Sequence, residues 1–155
     1  MADGDLIELR VYDLLLAQLQ DFTKGLLSSG VISREEFPDG LRVVIPNNHL
    51  SVQDDIYLRV NQIPADVLGP CLDDAREFRG ILLVNVVAKR NKGIRAAMRL
   101  ASCLVEHFYQ GLIFFDEDVD PPLKIKIDRQ TNIRPILYET DEVILPVTIK
   151  YRSFY

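Results

Sequence analysis

"FRGILLVNVVAKRNKGIRAAMRLASCLVEHF", residues 78–108, decides how this chain folds. Its first half, "ILLVNVVA", is nearly continuous apolar and β-branched, the composition of a central strand covered on both faces. Its second half changes period. Ile94, Ala97, Met98, Ala101, Leu104, Val105 and Phe108 recur at steps of three and four, which predicts a helix with one apolar face closed by Gly111. Arg95, Arg99 and Glu106 fall largely off that stripe. Between the two halves lies a basic turn with one glycine. Strand, glycine loop and helix start is also the order of a phosphate-binding loop. Such a loop needs several glycines and a Lys followed by Ser or Thr. Here Gly93 stands alone and no hydroxyl follows, so the segment reads as a connector. Gly93 supplies an angle other residues resist, and Lys89, Arg90 and Lys92 face water.

Upstream, "GDLIELRVYDLLLAQLQDFTKGLLSSG" reads as a first helix. Ile7, Val11, Leu14, Leu15 and Phe22 follow helical spacing, and Leu16 and Leu19 widen the stripe. Asp3 or Asp5 can cap its start and Gly25 or Gly30 ends it. "LRVVIPN" is a short strand stopped by Pro46. "IYLRVNQI" alternates, with Ile56, Leu58 and Val60 on one face and Tyr57, Arg59 and Asn61 on the other. "PADVLGPCLDDAREFRG", rich in turn residues and charge, reads as a long surface loop.

Downstream, "LIFF" is a short strand that enters the acidic turn "DEDVDPP", and "LKIKID" alternates strictly. "IRPILYET" and "VILPVTIKY" finish the chain as two strands joined near Asp141. Pro135 and Pro146 cannot donate to a ladder, so each is expected at an edge or a bulge. Two helices and six or seven strands predict an α+β, two-layer sandwich. Its twisted, mostly antiparallel sheet carries both helices on one face. Leu82, Val84, Val86, Met98, Leu104, Val105 and Phe108 are expected to be buried together. A length of 155 residues fits a single domain spanning 1–155.

A formal charge of −5 argues against holding nucleic acid by phosphate neutralisation. Cys71 and Cys103 form no metal or redox spacing, which favours a reduced, cytosolic setting. The acidic start lacks a signal-peptide core, and no apolar run approaches the ~20 residues of a membrane span. Asp116, Glu117, Asp118 and Asp120 form an acidic surface without the length or bend glycine of a calcium loop. Asp73, Asp74 and Glu77 lack a companion base. His107 near a helix end suits that end's dipole, His49 sits in a polar loop, and neither histidine has a cysteine nearby in sequence. No catalytic residue, cofactor or metal is expected.

The order of these pieces resembles the tail terminator proteins of long-tailed bacteriophages, together with a related phage-associated domain of unknown function. Three segments carry the resemblance: "VIPNNHLSVQDDIYLRVNQIPADV", the opening quotation, and "VILPVTIKYRSF". It spans most of the chain and implies a structural, non-enzymatic virion protein. Such a protein forms a hexameric ring on the head-proximal end of the tail tube, stops tube growth and offers the surface for head–tail joining. The implied partners are copies of itself, the tail tube protein, and a head–tail connector or head-completion protein. DNA passes through the lumen without specific binding, and a negative protein suits that passage. Assembly belongs to the host cytoplasm. The alternatives are another neck protein, namely a head-completion or connector-adaptor subunit, and a metal-dependent nucleic-acid-processing enzyme.

A ring needs two unlike patches on each subunit. The expected candidates are the basic turn, Lys89, Arg90, Lys92 and Arg95, and the closing segment, Tyr151, Arg152, Phe154 and Tyr155. Asp66, Leu68, Leu72, Asp73, Asp74, Arg76 and Glu77 form a candidate docking loop.

Overall fold

The computed structural model describes residues 3–30, 32, 41–45, 55–68, 77–90, 94–116 and 123–154. The elements run α1 (Asp3–Ser29), β1 (Val43–Val44), β2 (Ile56–Leu68), β3 (Glu77–Lys89), α2 (Ile94–His107), β4 (Ile113–Asp116), β5 (Leu123–Ile127), β6 (Asn132–Ile133), β7 (Leu137–Tyr138) and β8 (Glu142–Phe154). The class is α+β: among the described residues there are two helices and a curled mixed sheet of eight strands. The strand order is β1-β2-β3-β8-β5-β4, with β6 and β7 also paired to β8. All pairs are antiparallel except β1 with β2.

β8 is the spine. One edge pairs with β3 without a break, from Lys89↔Glu142 to Glu77↔Phe154. The other edge is shared in succession by β7, β6 and β5. "IRPILYET" is therefore two strands, not one: Pro135 lies between β6 and β7 and interrupts their ladder. Pro146 sits at neither an edge nor a bulge. It lies inside β8, and its carbonyl accepts from the Arg134 N–H at 2.7 Å. That side of Pro146 faces the break between β6 and β7, where a missing N–H costs no ladder bond.

The alternation of β2 is as expected. Ile56, Leu58 and Val60 are buried in register with Ala88, Val86 and Val84, which face Val143, Leu145 and Val147 of β8. These join one core with Val11, Leu15, Leu19, Phe22 and Leu26 of α1 and Ala97, Leu100, Ala101 and Leu104 of α2. Phe108, one residue past α2, is fully buried, and its carbonyl accepts from Thr131 Oγ1 at 2.6 Å. Gly111, at φ 92°, turns the chain back, and its N–H donates to the Ile127 carbonyl. Gly30, at φ 78°, ends α1 in the same left-handed conformation.

Three expectations are corrected. Met98 is 49% exposed, and Leu100 takes the buried place instead. The core face of α2 keeps Ala97, Ala101 and Leu104 of the stripe read from sequence and adds Leu100, while Val105 is only half-buried. Second, β3 is not covered on both faces. Its outward residues Ile81, Leu83 and Asn85 are half-buried, and only Val87 is sealed, with Tyr57 and Ile144, in a small second cluster. Third, the loop expected from Pro64 to Gly80 is strand at both ends, and its middle, residues 69–76, lies outside the described residues. β2 runs on to Leu68 and β3 begins at Glu77, with a bulge between Pro64 and Val67. Pro64 is tolerated because even-numbered β2 residues turn their N–H toward β1, as Leu58 does, and away from β3.

Gly80 has a packing role. It lies opposite Tyr151, and a Cβ there would sit 2.6 Å from Tyr151 Cζ and closer still to the hydroxyl. The ring occupies the missing side chain's place, and Gln62 Nε2 donates to its hydroxyl at 2.7 Å. Gly80→Ala is expected to destabilise the protein by about 1–3 kcal/mol through overpacking. The cost should shrink when Tyr151→Leu is added. Chemical denaturation of both single variants and the double variant measures this coupling; simple additivity would contradict the contact.

His107 packs between Phe22 of α1 and Phe108, with ring centroids 5.2 and 4.9 Å away. Its Nε2 is buried without a hydrogen-bond partner. Burial pushes the imidazole below its ordinary value of 6.5, against a weaker pull from Asp21. His107 therefore acts as a neutral aromatic wedge between the helices, not as a cation serving a helix dipole. The folded pKa is depressed, so below about 6.5 the unfolded chain binds the proton first and stability falls with pH. Melting temperature followed from pH 7.5 to 5 should drop less steeply in His107→Leu than in the parent; equal slopes would contradict this placement.

Candidate subunit interface

The basic turn expected at a subunit contact is partly engaged within the chain. Lys89 Nζ lies 3.7 Å from Asp55 Oδ1, and the Lys89 N–H donates to the Asp55 carbonyl. Arg90 holds the turn between β7 and β8: its N–H donates to Asp141 O at 3.0 Å, and its guanidinium reaches the carbonyls of Glu139 and Thr140 at 3.4 Å. Lys92 lies outside the described residues. Arg95 is exposed on the first turn of α2, beside Met98, Arg99 and Ser102 on the helix's outward side.

The closing segment is woven into the sheet. Tyr151 is only 3% exposed, in the core opposite Gly80, so the subunit itself covers it. Arg152 points to the outer face, its Nε 2.9 Å from Asp128 Oδ1 and 3.2 Å from Glu77 Oε1. These are ion-pair contacts without hydrogen-bond alignment. Arg79 Nε donates to the same Glu77 oxygen at 3.2 Å. Glu77, expected in a docking loop, instead clamps two arginines across β3 and β8. Phe154 is half-buried and lies between Glu77 and Lys124 in register. Tyr155 lies outside the described residues.

Of the other loop candidates, Asp66 and Leu68 belong to β2, while Leu72, Asp73, Asp74 and Arg76 fall outside the described residues. Asp116 ends β4, half-buried, and Glu117, Asp118 and Asp120 are likewise outside. Cys103 is a half-buried free thiol, and burial pushes its pKa up, which disfavours the reactive thiolate. Cys71 and His49 are not among the described residues.

Sequence reading missed one polar cluster on the outer face. Arg59 Nη2 donates to Tyr57 Oη at 2.8 Å, Tyr57 donates to Glu142 Oε1 at 3.0 Å, and Arg59 and Glu142 lie 3.6 Å apart. Burial, then the Glu142 hydrogen bond, raises the Tyr57 pKa. This ties β2 to β8 across β3. The alternation placed Tyr57 and Arg59 on one face, but Glu142 is 85 residues from Tyr57 and no local signal joins them. Among the described residues, each cation and carboxylate of these clusters has a partner of opposite charge. The arrangement braces the outer face of the sheet.

No curated protein matches the chain. It is similar to a solved protein structure with a TM-score of 0.59 and 21% identity, covering 86% of this chain and 94% of that one, which is a likeness of fold. The family model described as phage tail terminator protein matches residues 10–151, from within α1 to the last residues of β8. The chain therefore belongs to the phage tail terminator protein family and is a structural phage tail protein.

Proposed function

We propose that this protein forms a hexameric ring that caps the tail tube, ends its polymerisation and provides the surface for head–tail joining. In this reading both helices lie on one face of the sheet as a two-layer subunit, and the outer face and strand ends are free for neighbours. The protein acts by contact alone, without catalysis. Its partners are its own copies, the tail tube protein and a head–tail connector or head-completion protein. It sits at the head-proximal end of the tail after assembly in the host cytoplasm, with DNA crossing the lumen unbound.

The observation that carries this reading is the family match over residues 10–151, nearly the whole chain. The physical features agree with it. A net charge of −5 disfavours adhesion of DNA passing close by. The polar clusters of the outer face fix a rigid surface, which a ring needs if six copies are to close without accumulated error.

The test is electron microscopy of the purified protein, alone and with polymerising tail tube protein. Six-fold rings are expected, seated on one tube end, with tubes that stop growing once capped. Rings that bind empty heads and ignore tubes would assign the protein to another part of the neck. Unchanged tube growth with no ring on either end would overturn the proposal.

A further inference from the structure

The two ends of β8 carry opposite surfaces. At its start, Leu137 and Tyr138 are 53% and 67% exposed. Beside them stand the exposed carboxylates of Glu139 and Asp141, which have no ion pair among the described residues. Arg90 grips this turn by its backbone carbonyls and not by those carboxylates. At the far end, β5 sets Lys124 opposite Phe154 and Lys126 opposite Arg152. Lys124, Lys126 and Lys150 share the outer face there with no ion pair among the described residues, whereas nearby Arg79 and Arg152 are matched by Glu77 and Asp128. β4 adds Ile113 and Phe115, 39% and 54% exposed, directly across from Lys126 and Lys124.

Each end thus couples exposed apolar side chains to unpaired charge, and the signs are opposite. The ends are separated by the length of β8, on the order of 40 Å for a strand of this size. One subunit cannot bring them together.

We propose that they meet between copies of this chain. The Leu137–Asp141 segment of one subunit docks on Phe115, Lys124 and Lys126 of the next, head to tail. This rests on the ring reading above and names the contact that would build the ring. Two unlike patches on opposite ends of one rigid strand make a heterologous contact, the kind that closes into a ring. The apolar groups supply the burial, and the lysine–carboxylate pairs set register and speed encounter. A nucleic-acid occupant fits less well: the lysines are interleaved with exposed Ile113 and Phe115, and a matching acidic, apolar patch is present on the same chain.

The test uses two charge-reversed variants of the full chain, Lys124→Glu/Lys126→Glu and Glu139→Lys/Asp141→Lys. Sedimentation velocity and native mass spectrometry measure assembly at several concentrations, with thermal melts checking the fold. Each variant alone should assemble about tenfold or more weakly per contact. An equimolar mixture should recover assembly with the two variants alternating, since every contact then pairs opposite charges. If the parent assembles and either variant alone matches it, or the mixture does not recover, the assigned contact is wrong and the ring reading stands. A parent that stays monomeric at every concentration overturns both. Should a reversed pair fail to fold, Lys124→Gln/Lys126→Gln decides: weaker, less salt-sensitive assembly supports the contact, and unchanged assembly removes it.

Discussion

The continuous ladder between β3 and β8 is the constraint on which the rest of the subunit depends. It aligns Leu82, Val84, Val86 and Ala88 with Ile149, Val147, Leu145 and Val143, and these join the buried cluster that also takes in residues of α1 and α2. The opposite edge of β8 is filled by three short strands in turn, so the sheet can bend at each break while β8 itself stays whole. A strand buried along most of its length on both sides is costly to open, because every step exposes paired backbone and apolar side chains together.

Fixing β8 fixes the surfaces. The Arg59–Tyr57–Glu142 cluster braces one end of the outer face, and Glu77 with Arg79, Arg152 and Asp128 braces the other. These groups are partly exposed, so their ion pairs add modest stability. Their larger effect is to hold side chains in one arrangement. In the ring we propose, a subunit acts by shape and contact, and a stiff strand with a braced outer face suits that role.

Much of the fold was legible because the hydrophobic period changes sharply along the chain. Period two in residues 56–60 and period three to four in α1 and α2 reported the elements correctly. Their relation to one another was less legible. Met98, read as part of the stripe, and Leu100, just outside it, are both apolar, and only the direction of the sheet decides between them. The proline and charge content of residues 64–80 suggested a loop, yet strand pairing with β8 carries β3 back to Glu77, and β2 follows it. Tyr151 shows the same limit for the candidate interface. Three aromatics near a chain end looked like exposed anchors, but Gly80, 71 residues earlier, leaves the space that buries one of them. Long-range complementarity of this kind is not written in local spacing. Lys89 and Arg90 of the basic turn are exposed, as expected, and also tied to their own subunit, while residues 91–93 lie outside the described residues.

Native-state hydrogen exchange resolved to single amides tests most directly whether β8 is the spine. The amides of Val143–Leu145 and Val147–Ile149, together with those of Leu82–Val87 in β3, should be the slowest in the molecule and should exchange only by global unfolding, with one shared free energy. The amides of β4 and the start of α1 should exchange sooner by local opening. If β8 exchanged as fast as β4, or opened separately from β3, the sheet would not be organised around this strand.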